Sequence, residues 1–159
     1  MGWWGCGVVD GDGPWDIIST IESESGVSAL GQDKNGNDLR VDKMPMDVRQ
    51  QLFRKQREAF SKMAISTMLD VCKGMEEDDL IIMTIGFLFL KWEVTLPDEF
   101  KQQVLDAIDR DDSSCWNDQE DRVRQMIKFK ECIEKQDGEG LEHCGLFWEG
   151  VFTARTHFD

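Results

Sequence analysis

The feature that most constrains the fold is an apolar run over residues 80–90, which only Thr84 and Gly86 interrupt. A segment that is apolar on every side is buried on every side, so the rest of the chain has to pack around it. The run is far shorter than the roughly 20 residues that a membrane-spanning helix needs. We therefore predict a central buried helix here, with a buried strand over residues 85–90 as the alternative.

Segments on both sides of this run carry apolar residues at helical spacing. They cover residues 14–24, 47–73, 98–108 and 117–136. The second is either one long helix or two helices with a break near Arg57, and Gly74 is a C-terminal stop signal. Helix starts are indicated by Asp78 and Asp79, by Thr95 with Pro97, and by Asn117 with Glu120 three residues later.

These patterns predict a mainly α-helical protein, a compact bundle of about five or six helices. With 159 residues, of which 40% are apolar, one domain over residues 1–159 is expected. A glycine- and tryptophan-rich lead-in covers residues 1–13, and an apolar tail over residues 138–159 is expected to fold back on the bundle. At most a small β-hairpin is expected near residues 28–42, where Asn35-Gly36 is a turn signal.

The formal net charge of −14 argues for solubility and against direct binding to nucleic acid or anionic lipid. Residues 39–73 are the exception, since eight cations stand there against four acids. The cations of this basic segment either stay solvated or pair with the acidic remainder of the domain, and contact with phosphate is the alternative. They include Arg49, Arg54, Lys55 and Arg57.

The five cysteines are far apart and form no C-x-x-C pair, which favours free thiols in a reducing compartment. With only His143 and His157 to add, the spacing of a zinc site is missing. No basic, apolar signal peptide opens the sequence. We expect a cytoplasmic protein without a membrane segment.

The sequence lacks the motifs of the common catalytic, nucleotide and calcium sites. In a calcium loop counted from Asp10, Trp15 stands where glycine is required, and in one counted from Asp33 the same position holds Asp38. The phosphate-binding loop, the G-x-S-x-G elbow and the H-E-x-x-H pair do not occur in the sequence. The sequence predicts no cofactor and no metal, although carboxylate or metal-dependent catalysis stays open as an alternative.

Two groups of residues are candidates for binding. Trp3 and Trp4 either anchor an interface or plug one end of the bundle. The second group is acidic and surrounds a loop; it either keeps that loop solvated and favours the next helix start or imitates a phosphate array. Its members are Asp109, Asp111, Asp112, Asp118, Glu120 and Asp121.

The opening MGWWGCG, followed by Asp10, Asp12 and Asp16, resembles a family of short bacterial and phage proteins of unassigned function that begin Met-Gly-x-Trp-Gly. Similar features downstream are the start Leu96-Pro97, Ala107-Ile108-Asp109, Trp116 with Glu120-Asp121-Arg122, and the closing Gly145-Leu146-Phe147. The resemblance implies a helical domain in a microbial or viral setting, and it brings no catalytic residues.

The leading hypothesis is a non-catalytic acidic module or inhibitor that binds another protein, in phage-host conflict and in the host cytoplasm if a phage encodes it. The first rival is a nucleic-acid mimic that occupies the basic groove of a nucleic-acid enzyme. The second is a metal-dependent or carboxylate enzyme, which would require several acids to converge in one pocket.

Overall fold

The computed structural model describes residues 12–25, 45–112 and 119–135. Most of these residues are helical and none is in a strand, which confirms a mainly α-helical bundle. The helices are α1 (Asp12–Ser25), α2 (Met46–Ser61), α3 (Ile65–Cys72), α4 (Asp78–Lys91), α5 (Asp98–Asp109) and α6 (Gln119–Lys135). The expected hairpin and tail lie outside the described residues, as does the lead-in except for Asp12 and Gly13, which already belong to α1.

Helix α4 is the centre of the bundle, as the apolar run predicted. Every residue from Met83 to Lys91 is buried, and α1, α3, α5 and α6 all pack against it. The strand alternative is wrong because the segment continues as a helix to Lys91. Asp78 and Asp79 stand in the first turn, where carboxylates stabilise the positive end of the helix dipole. In the described ranges, no helix is long and apolar enough to cross a membrane.

Gly86 allows α4 and α5 to approach each other closely. A methyl group on its Cα would lie 2.9 and 3.0 Å from the two methyl carbons of Val104 on α5. Val104 is fully buried, and its β-branched side chain has little freedom to move away. Glycine usually destabilises a helix interior by about 1 kcal/mol relative to alanine. At this position the close packing of two helices offsets that loss.

A charged pair lies inside the apolar core. Lys91 at the end of α4 donates from Nζ to Oε1 of Glu22 on α1 at 2.5 Å, and both side chains are at most 1% exposed. The ammonium group also lies 4.6 Å from the centre of the Trp92 ring, a favourable cation–π distance. Among the described residues no hydrogen bond of ordinary geometry reaches the second oxygen of Glu22, Oε2.

The pKa of the Glu22 carboxyl is raised because burial disfavours its charged form. Lys91 opposes this shift through its charge and hydrogen bond, and the neighbouring Trp92 side chain opposes it further. The ion pair therefore offsets part of the rise in the pKa of Glu22 that burial causes, but not all of it.

Helices α2 and α3 are separate, and the break falls at residues 62–64 rather than near Arg57. Ala64 adopts an extended conformation there, with φ −71° and ψ 144°. Aromatic contacts hold α2 against the core: Phe53 lies 5.1 Å from Trp92 and Phe60 lies 5.3 Å from Phe89 between ring centres. Soon after α3, Gly74 has φ +82°, a left-handed conformation that favours glycine, so this stop signal is confirmed.

The predicted helix caps are only partly correct. Helix α5 begins at Asp98 as expected, but its N-cap is Pro97 and no side-chain hydrogen bond caps it, so the capping box on Thr95 is wrong. Glu77 is the N-cap of α4, again without a side-chain cap bond. Both starts are therefore set by acidic first turns and packing rather than by capping hydrogen bonds. Asn117 lies outside the described residues.

The expectation of five free thiols is wrong for Cys132, which is disulfide-bonded. Cys72 is free and fully buried on α3, and burial raises the pKa of its thiol to about 11. Cys72 and Cys132 are the two cysteines within the described residues. The pairing of Cys132 could not be read from spacing alone, since five cysteines without a motif allow many pairings.

Candidate functional site

The end of α5 and the middle of α6 border an open groove of about 290 Å³. Ile108 from α5 and Met126 from α6 form its buried floor. Val123 and Ile127 form one edge, and Asp109, Asp111 and Lys130 complete the lining. We call this cavity the apolar groove.

The α6 edge of the apolar groove exposes large hydrophobic side chains. Val123 is 42% exposed and Ile127 is 52% exposed. They are four residues apart, so they stand one above the other on the same helix face. Single exposed apolar residues are normal on protein surfaces, but two that adjoin each other and an apolar cavity form a continuous patch.

The helical spacing of apolar residues over 117–136 predicts that they share one buried face, yet Val123 and Ile127 are exposed. The residues that α6 buries are Arg122, Met126, Phe129 and Ile133, together with Cys132. Arg122 occupies the core-facing position one turn before Met126, so the buried stripe is rotated by about 100° from the one that Val123 and Ile127 suggest. An arginine in register with three buried apolar residues was the signal that could have revealed this.

Arg122 can be buried because it is paired. Its Nε donates to Asp111 Oδ2 at 3.1 Å and its second amino group donates to Oδ1 at 2.8 Å. The arginine side chain is 2% exposed and the carboxylate is 13% exposed. Two parallel hydrogen bonds to a carboxylate are the strong, orienting form of this contact. The pair therefore forms a rigid wall at one side of the apolar groove.

A second ion pair joins the two helices near the other end of the groove. Lys130 Nζ on α6 donates to Asp109 Oδ1 on α5 at 2.8 Å, and both side chains are partly exposed. The hydrogen bond and charge of Asp109 raise the pKa of Lys130. Asp109 and Lys130 both line the groove, so this ion pair borders one end of it. The exposed side of the groove lies along Val123 and Ile127.

An acidic pocket of about 220 Å³ lies beyond Asp111, where α4 begins and α5 ends. Its floor is apolar and its rim is charged. Leu80, Met83 and Ala107 line the floor, and Glu77, Asp79, Arg110, Asp111, Asp112 and Arg122 line the rim.

One rim pair of the acidic pocket links α4 to the end of α5. Arg110 donates to both oxygens of Asp79, at 3.0 and 2.9 Å. The hydrogen bond from this guanidinium, followed by its charge, lowers the pKa of the Asp79 carboxyl. Four carboxylates and two guanidiniums line the pocket, so its rim has an excess of negative charge.

The structure brings together three of the predicted acidic site residues, Asp109, Asp111 and Asp112, at the end of α5 and just beyond it. Glu120 is exposed in the first turn of α6, and Asp121 forms an ion pair with Arg124 on the same helix. Trp3, Trp4 and Asp118 lie outside the described residues. The acids near the groove are therefore largely engaged with cations of the same chain.

Three of the four cations named in the basic segment have described side chains. Arg54, Lys55 and Arg57 are exposed on α2, and the described residues offer none of them an ion pair. The side chain of Arg49 is outside the described set. Within that set, no three His, Cys, Asp or Glu side chains are placed to hold a metal ion.

Comparison with protein-family models, with curated proteins and with solved structures finds no match for this chain.

Proposed function

We propose that the chain is a protein-binding module and that the apolar groove between α5 and α6 is where it binds. The observation that carries the proposal is the exposed pair Val123 and Ile127 beside a cavity with an apolar floor. Burying such a patch against a partner removes apolar surface from water, which is the main driving force of protein association.

The charge of the chain favours the same kind of role. A net charge of −14 attracts cationic surfaces over several ångströms and speeds their encounter. The partner we propose is therefore a protein with a basic surface, and the phage-host setting belongs to the same proposal.

The geometry favours docking over mimicry of nucleic acid. A mimic presents a row of carboxylates to a basic groove, whereas Asp109, Asp111 and Asp121 each form an ion pair with a cation of α6. Displacing Arg122 or Lys130 from these pairs would break contacts that join α6 to the end of α5 and the residues just after it.

The test uses two matched variants. Val123→Asp places a charge in the patch, and Val48→Asp makes the same change on α2, where Val48 is 41% exposed, against 42% for Val123. Each protein is used to capture partners from nuclease-treated bacterial lysate, with quantitative mass spectrometry as the readout. We expect proteins that wild type and Val48→Asp retain equally and that Val123→Asp loses. Identical capture by all three proteins would exclude the groove as the binding site.

A further inference from the structure

The apolar groove and the acidic pocket adjoin each other. Asp111 lines both, and its bidentate pair with Arg122 forms the wall between them. Along α6, Arg122 borders the acidic pocket and Met126 borders the groove, four residues further on. Four helical residues correspond to about 6 Å along the axis. A bound segment that fills the groove therefore has its neighbouring turn beside the acidic pocket.

The acidic pocket complements a long cationic side chain. Its floor of Leu80, Met83 and Ala107 can cover the methylene stem of a lysine or arginine, while the rim carboxylates face the charged end. Glu77 on this rim is exposed, and its carboxylate forms no hydrogen bond or ion pair with the described residues. Asp79 and Asp111, by contrast, are already engaged by Arg110 and Arg122.

We infer that the occupant of this double site is an amphipathic helix of another protein, with a bulky apolar residue in the groove and a lysine or arginine one turn away in the acidic pocket. The inference rests on the proposed function and specifies its partner. A second copy of this chain is the less favourable occupant, because two molecules of charge −14 repel each other.

The experiment selects ligands without presupposing their sequence. A phage-displayed library of random peptides of about 16 residues, long enough for four helical turns, is panned on the full-length chain. Each selected peptide is then measured by fluorescence anisotropy against wild type, Val123→Asp and Val48→Asp. We expect peptides that lose binding to Val123→Asp alone and that carry an apolar residue three or four positions from a lysine or arginine.

Charge variants test the second half of the site. Replacing the lysine or arginine of a selected peptide by glutamine should weaken binding about three- to tenfold. Glu77→Gln should weaken the cationic peptide about two- to fivefold and leave its glutamine version unchanged, which a purely structural role of Glu77 would not produce. Asp70→Asn, an equivalent change of an exposed acid on α3, should leave both unchanged.

The outcomes separate the two proposals. Groove-dependent peptides without a cation at that spacing would overturn the inference and leave the proposed function standing. Peptides that bind all three proteins equally, or a selection that yields no binder, would overturn both. Dimerisation of the wild type in sedimentation equilibrium that Val123→Asp abolishes would also overturn the inference, because the site would then be an interface between copies.

Discussion

The buried pair of Lys91 and Glu22 permits a demanding test of the fold, through replacement of Lys91 by methionine. The change keeps an unbranched side chain that is one atom shorter, and it leaves the Glu22 carboxylate without its only ion-pair partner among the described residues. Removing one member of a buried pair typically lowers the free energy of unfolding by about 3–5 kcal/mol. Native domains have about 5–15 kcal/mol in total, so the loss should be large and measurable.

The loss should depend on pH with a defined sign. Burial raises the pKa of Glu22 above its ordinary 4.5 and Lys91 opposes that shift, so Lys91→Met raises the pKa further. Between 4.5 and the folded-state pKa, the native protein keeps a proton that the unfolded chain has released. The free energy of unfolding of the variant therefore falls as pH rises through this window, by up to about 1.4 kcal/mol per pH unit. The wild type should show a shallower dependence.

The assay is urea unfolding followed by circular dichroism between pH 5 and pH 8. With an m-value of about 2 kcal/mol/M, a loss of about 4 kcal/mol lowers the midpoint by about 2 M. Glu22→Gln should also be destabilised but should lack the slope that comes from Glu22. Lys101→Met, a change of a partly exposed lysine on α5, should stay within about 0.5 kcal/mol of wild type. A Lys91→Met variant within 1 kcal/mol of wild type, with the pH profile of wild type, would refute the reasoning.

Three further predictions follow from the packing, the cysteines and the exposed edge of α6. Gly86→Ala should lower the free energy of unfolding by about 1–2 kcal/mol, because crowding against Val104 exceeds the gain in helix propensity. In a Val104→Ala background the same change should be neutral or stabilising. Additive effects of the two changes would contradict the close approach of α4 and α5 at these residues. Without reductant, the denatured chain should show at most three reactive thiols because Cys132 is disulfide-bonded, and full reduction should give five. In the native protein at pH 8, Cys72 should react at least a hundredfold more slowly than after unfolding, because the pKa of its thiol is about 11 rather than 9.0. Rapid labelling of native Cys72 would contradict this prediction. Ile127→Asp should change the free energy of unfolding by no more than about 0.5 kcal/mol, because Ile127 is 52% exposed; a cooperative loss of structure in circular dichroism would instead mean that Ile127 belongs to the core.

The helices were predictable because their signals are local. The apolar run identified α4, and helical spacing with Pro97 located the start of α5 at Asp98, although the capping bond expected from Thr95 does not form. The break between α2 and α3 was less predictable, since no proline or glycine stands at residues 62–64. That boundary comes from tertiary packing, in which Phe60 and Met68 both reach the core from different helices.

The site was predictable only in part because its contacts join distant residues. Asp109, Asp111 and Asp112 were identified by their charge, but Lys130 and Arg122, which pair with two of them, come from the following helix. The choice between a buried and an exposed face on α6 depended on whether Arg122 had a partner. Periodicity treats an arginine as exposed, whereas a bidentate carboxylate makes its burial acceptable.

The pair formed by Glu22 and Lys91 also restricts which packings of the bundle are allowed. The apolar faces of α1 and α4 would tolerate several relative positions, because hydrophobic contact is non-directional. A slide of one helical turn, about 5.4 Å, would separate the two charges and leave each buried alone. The pair therefore raises the free energy of the shifted packings of α1 and α4 by more than it lowers the free energy of the native packing. We expect the double variant Glu22→Leu with Lys91→Met to keep much of the free energy of unfolding of the wild type. Its nuclear magnetic resonance spectrum should show more than one packing of α1 against α4.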